Sequence, residues 1–176
     1  VGDEMKFVSV KRGDEDTVRN DRPKTDGPKF ALRVVGISRA PTGLAVRESD
    51  RDWSFADLAS GSREISDALS SSGVGLGDCV ALMLPNSGAF VAAFFAIARA
   101  GAVIAPLNVR YQEQELVYFL RDTSAVSIIA ASHLAPRVRL ALEKLEYPPA
   151  LFEVDPDGSC RPSRPGERIS NLEVEA

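Results

Sequence analysis

The spacing of apolar side chains changes several times along this chain, and each change predicts an element. The first 29 positions show no apolar period: seven Lys/Arg and seven Asp/Glu are mixed with few large apolar groups. Such a stretch buries too little surface to offset its ordering entropy, so 1–29 is expected to be disordered or loosely attached. The run FALRVVGI (30–37) fits a short helix or a strand. Weak alternation in GLAVRE (43–48), a polar turn at 49–52 and then Trp53-Ser54-Phe55 predict a hairpin. Ser54-Phe55-Ala56-Asp57 matches the S-x-x-D helix-start box. Phe55, Leu58, Ile65 and Leu69 then share one face at a period of 3.6, and Gly73 marks the stop.

Beyond that glycine the pattern becomes blocks. CVALML (79–84) is a short apolar run of the kind a strand buried on both faces shows. After Pro85, either Asn86 or Ser87 can cap a helix over 88–100, which is apolar nearly all round and is expected to pack on several sides. A second buried strand is predicted over 102–107, a loop over 108–111, and a helix over 113–121 with Leu116, Phe119 and Leu120 on one face. A third strand (125–131), a helix (133–145) and a short fourth strand (151–154) follow. From Asp155 the prolines and glycines predict loop. Helices alternating with buried strands imply an α/β fold: a layered, largely parallel sheet with flanking helices. The expected division is an N-terminal extension (1–41), one α/β unit (42–154) and a polar tail (155–176).

Composition changes this picture little. The chain has 176 residues, 44% hydrophobic and 26% charged, with a formal net charge of −4. A mildly acidic chain does not suit general nucleic-acid binding, which displaces counterions with a basic face. Cys79 and Cys160 form no zinc spacing and no C-x-x-C pair. No apolar leader opens the chain, so a cytoplasmic location is expected. Positions 88–107 are nearly continuous in apolar residues and long enough to span a bilayer, but Arg99, Gly101 and Pro106 favour a buried helix followed by a strand, with no transmembrane segment.

Candidate chemistry is sparse. Gly73, Gly75 and Gly77 follow a helix and precede a strand, the reverse of a dinucleotide fingerprint, and read as a turn. His133 reads as a surface residue at a helix start, Cys79 as an inert strand thiol, and Asp50, Asp52 and Asp57 as turn or cap residues rather than metal ligands. Asn86 and Arg110 each follow a strand end, where open α/β sheets bind ligands. Asn86 fits a helix cap better. The alternative to a ligand for Arg110 is an ion pair with Glu113 or Glu115.

Four ordered stretches resemble one superfamily. Trp53-Ser54-Phe55-Ala56-Asp57-Leu58 is similar to its aromatic-Thr-Tyr-x-Glu-Leu helix start. GVGLGDCVALMLPNS (73–87) resembles G-V-x-x-G-D-x-V-A-x-x-L-P-N-S. ARAGAVIAPLNVRY (98–111) resembles K-A-G-A-V-x-x-P-L-N-x-R-Y, and Glu115-Leu116 through Asp122 resembles E-L-x-x-x-L-x-D. These are marks of the adenylate-forming (AMP-binding) superfamily, and the N-x-R form leans towards acyl-CoA synthetases and ligases. The resemblance implies a reaction in which a small-molecule carboxylic acid, ATP and CoA give acyl-CoA, AMP and pyrophosphate, with Mg²⁺ offsetting phosphate charge, as in fatty acid metabolism. It implies no catalytic residue here: the ATP loop, the ribose-binding Asp and the catalytic Lys of that family have no counterpart in this sequence. The resemblance therefore implies an N-terminal portion of such an enzyme, inactive alone, as from a gene fragment or a splice form. One binding residue carries over, Arg110, as a contact to a CoA phosphate. The rival readings are a non-catalytic module that pairs with another chain, or self-associates through exposed apolar surface, and an unrelated nucleotide-binding α/β protein.

Overall fold

The computed structural model describes residues 40–49 and 51–163. The expectations for 1–37, for Asp50 and for the last residues of the tail lie outside these.

The described residues open with a hairpin, β1 (Leu44–Arg47) and β2 (Asp52–Ser54), paired antiparallel. The Ser54 hydroxyl accepts from the Asp57 amide, and the Asp57 carboxylate accepts from the Ser54 amide, so both sides of the predicted box are present. The Ser54 hydroxyl also donates to the Asp57 carboxylate at 2.7 Å, and this bond, followed by that from the Ser54 amide, holds the Asp57 carboxyl below its ordinary value. The box starts α1 (Phe55–Ser71), which buries Leu58, Ile65 and Leu69 and ends before Gly73 at a φ of +91°. Gly77, at a φ of +81°, completes the predicted turn into β3.

β3 (Cys79–Met83), β4 (Val103–Pro106), β5 (Ser127–Ala131) and β6 (Ala150–Val154) are parallel, and β7 (Cys160–Pro162) runs antiparallel to β6. The sheet order is β4-β3-β5-β6-β7. Every residue of β5 is buried, as a strand with both faces covered requires. The intervening helices are α2 (Gly88–Arg99), α3 (Glu113–Asp122) and α4 (Ala135–Leu142). No helix among the described residues is long and apolar enough to cross a membrane.

Three expectations need correction, and one is met with a limit. The 102–107 strand is not buried: β4 is an edge strand with Val103 55% exposed. It bonds inward to β3 through the amides of Val103 and Leu107. The 88–100 helix packs on several sides, against α1, β3 and β4, but it is not covered all round. It buries a small-residue face, Ala89, Ala92, Ala93, Ala96 and Ile97, and leaves Phe94 40% exposed. Those alanines let α1 approach closely, so that a Cβ at Gly61 would touch the Ala92 methyl. The 133–145 helix starts as a 3-10 turn (Ser132–Leu134) and ends at Leu142. The tail is not all loop, since β7 adds a strand to the sheet.

β7 is held by its ladder to β6, by the half-buried Cys160 and by charge. Glu153 on β6, 5% exposed, pairs with Arg139 of α4 and with Arg161 of β7 at 3.4 Å. Arg161 also binds Asp155 at 2.9 Å, and Asp155 accepts from the Ser132 hydroxyl.

Trp53 fastens the hairpin. Its indole is 1% exposed and lies against Gly88 on one side and Gly158 on another. A Cβ at Gly88 would overlap the ring, and one at Gly158 would sit 2.5 Å from Cη2. The Arg51 guanidinium lies 4.0 Å from the ring centroid. Beside it the Gly88 amide donates to the Glu48 carboxylate at 2.6 Å.

Candidate binding site at the carboxyl edge of the sheet

Chain order reverses direction across β3: β4 lies on one side of it and β5 on the other. Open α/β sheets bind ligands at the carboxyl ends of strands flanking such a reversal. Because β3 to β6 are parallel, the loops that follow them all emerge at this edge. They carry Asn86, Arg110, His133 and Asp155.

Arg110 sits in the loop after β4, which is braced by several hydrogen bonds. Leu107 is rooted to β3 through the Leu82 carbonyl at 2.9 Å. The Tyr111 amide donates to the Asn108 carbonyl at 3.0 Å, closing a turn. The Asn108 side chain accepts from the Arg110 amide at 2.9 Å, and the Gln112 side chain donates to the Arg110 carbonyl at 3.0 Å. The Tyr111 ring stacks on Phe119 of α3, centroids 4.8 Å apart and planes 10° apart. The backbone is held on every side while the residue itself is exposed. Neither expected ion-pair partner is engaged with Arg110. Glu113 pairs with Lys144, and Glu115 accepts from the Gln112 amide at 2.8 Å to cap α3. A fixed turn that presents a guanidinium with no partner among the described residues is suited to a phosphate or carboxylate.

The other candidates separate from it. Ser87, not Asn86, caps α2, accepting from the Phe90 amide at 3.1 Å. Ser87 is the one placed three residues before a free helical amide; Asn86, one residue earlier, is exposed at the carboxyl edge. His133 is exposed, and its neighbour Ser132 bonds Asp155, so the two form no nucleophile–base pair. Asp52 pairs with Arg47 at 3.3 Å across the hairpin. Burial raises the Cys79 thiol, partly offset by a hydrogen bond with Thr123. Burial, then the Glu64 charge, pushes the Cys160 thiol up to about 12, which leaves it protonated and unreactive at neutral pH. Among the described residues no group of three or more His, Cys, Asp and Glu is placed to hold a metal ion. A cavity of about 650 Å³ opens at the opposite, amino edge, lined by Arg121, Ser124, Val126 and Tyr147 among others, and is separate from the Arg110 loop.

Arg137, on α4, went unnoticed in the sequence. Its Nη1 donates to the carbonyls of Val109 at 3.1 Å and Tyr111 at 3.2 Å. Nothing in sequence spacing links a residue to a loop 26 positions earlier.

The fold defines the general class, an open and mostly parallel α/β sheet with flanking helices. The chain belongs to the AMP-binding enzyme family, whose profile matches residues 36–168. It is 32% identical over 138 residues to a vanchrobactin synthetase of Vibrio anguillarum, covering 74% of this chain and 5% of that one. It is 30% identical over 154 residues to an acetate–CoA ligase of Humulus lupulus, covering 81% of this chain and 27% of that one. Among solved structures it is similar to an anthranilate CoA ligase in complex with anthranoyl-AMP, with a TM-score of 0.60, 25% identity, and coverage of 65% of this chain and 22% of that one. The chain thus spans about a quarter or less of the length of these relatives.

Proposed function

We propose that this chain is the N-terminal portion of the large domain of an ATP-dependent acyl-CoA synthetase, and that Arg110 meets a phosphate of CoA. The observation that carries the reading is the Arg110 turn, braced through its backbone, with no partner for its guanidinium among the described residues. Family membership and the names of the CoA-ligase relatives support the reaction class; the synthetase relative keeps a peptide-synthetase adenylation reading open as its nearest competitor. ATP, Mg²⁺ and the carboxylic acid would be held by the rest of such an enzyme, since no described cluster suits them. The 176-residue chain alone should release no pyrophosphate from ATP with carboxylic acids, CoA and Mg²⁺; release at enzyme-like rates overturns that expectation. Adenosine 3′,5′-bisphosphate, titrated into the chain and followed by amide NMR, should shift residues 108–112. Arg110→Ala should weaken its binding by about tenfold, the loss of one charge-assisted bond. Equal binding by Arg110→Ala, or none by the wild type, removes the CoA-phosphate assignment.

A second reading has its own support: the chain works as a non-catalytic module paired with a chain carrying other parts of an AMP-binding fold. The exposed β4 edge, with Val103, and the exposed Phe94 on α2 offer an uncovered apolar surface on one flank of the sheet. Light scattering after size exclusion should then show this chain associating with itself, or with such a partner. A monomer at every concentration, indifferent to a full-length homologue, rules the second reading out.

A further inference from the structure

We infer that Arg137 is a positioning residue for the Arg110 turn, and that it readies that turn to accept a phosphate; the phosphate part rests on the reading of Arg110 given above. Arg137 lies on α4, between the strands on the far side of the reversal, yet its guanidinium reaches back to the loop after β4. The same Nη1 meets the carbonyl before Arg110, that of Val109, and the one after it, that of Tyr111. No carboxylate pairs with Arg137 among the described residues. Its hydrogen bonds among the described residues go to two main-chain oxygens on either side of the candidate ligand-binding side chain.

Two physical effects follow. The first is geometric. Asn108 and Gln112 fix the Arg110 amide and carbonyl from within the loop. Leu107 roots one end of the turn to β3 and the Tyr111 ring stacks on α3; Arg137 adds a tie from the carbonyls on either side of Arg110 to a third packed element, α4. The half-buried setting of Arg137 shields these bonds from competing water. The second effect is electrostatic. Carbonyl oxygens carry partial negative charge, and two of them flanking Arg110 would oppose an incoming phosphate. The Arg137 cation satisfies both and adds a positive charge beside the first. Both bonds come from one nitrogen, so a lysine, with the charge and three N–H donors but a shorter stem, can replace them only in part.

The test uses the full 176-residue chain and its Arg137→Leu, Arg137→Gln and Arg137→Lys variants. Two quantities are read: affinity for adenosine 3′,5′-bisphosphate, and amide hydrogen exchange at residues 109–112 relative to β5. Arg137→Leu and Arg137→Gln should each weaken binding by about fivefold or more and speed exchange at 109–112, with β5 protection unchanged. Arg137→Lys should recover part of the affinity. If Arg137→Leu does not fold, Arg137→Gln, which retains a donor for one carbonyl, supplies the same comparison. Wild-type affinity and wild-type exchange in these variants would overturn the inference, as would a loss of protection shared equally with β5. If the wild type takes up no bisphosphate, the Arg110 assignment fails by itself. Faster exchange confined to 109–112 would then still uphold the positioning role, and unchanged exchange would end it.

Discussion

Trp53→Ala should destabilise this domain by about 3–5 kcal/mol, the usual cost of emptying a large aromatic site. Typical domains hold only about 5–15 kcal/mol in total, so the variant should sit close to unfolding. The size follows from how the indole is used. It is the largest buried side chain of the hairpin, and it fills the gap between the start of α2 at Gly88 and the β6–β7 turn at Gly158. A two-stranded hairpin has little stability by itself, so its attachment depends on that contact. Urea unfolding followed by circular dichroism measures the loss, because the variant removes the chain's only tryptophan. Gly88→Ala supplies the control. In the native background its methyl collides with the ring; with Trp53→Ala the methyl has room. The double mutant should therefore be less destabilised than the sum of the singles by more than about 1 kcal/mol. Simple additivity would mean that Gly88 and the indole do not meet as described.

Glu153→Ala should cost about 3 kcal/mol, again read from urea midpoints, now by fluorescence of Trp53. Removing one partner of a buried ion pair leaves the other uncompensated, and that penalty commonly reaches about 3–5 kcal/mol. The lower end applies here because the Arg139 side chain keeps 24% of its exposure and can recover some hydration. Arg161→Ala should cost less than about 1 kcal/mol, since its side chain is 59% exposed. The ranking is the test: equal losses from the two variants would mean that Glu153 is not the centre of this network.

These two sites also show what the sequence could and could not reveal. Ser54 and Asp57 lie three apart, and a capping box is written in that spacing. Likewise, β3 and β5 are legible because strands covered on both faces need unbroken apolar runs, as in CVALM and SIIAA. The same logic misplaced β4, whose VIAP looks equally apolar; a run of side chains does not state whether a neighbour lies on both sides. β7 carried no apolar signal, for Cys160-Arg161-Pro162 is fastened by Arg161 to carboxylates on and after β6. The packing of α2 was written in its alanines, but a helix apolar all round hides which face is small enough for close approach. Of the candidate site, Arg110 could be found from its place after a strand. Arg137, Glu48 and the glycines around Trp53 could not, because each acts on a partner distant in the chain.

The open flank of the sheet has one further property. The amides of Val103 and Leu107 face β3, so by the alternation of strand geometry those of positions 104 and 106 face outward. Position 106 is a proline, which has no amide hydrogen, and the amide of Ala102 is already bonded to Ile97. A newcomer strand would find a lone outward donor, that of Ile104, before its ladder stopped. The β4 edge is thus a poor template for adding a further strand, although Val103 and Phe94 are exposed for side-chain packing.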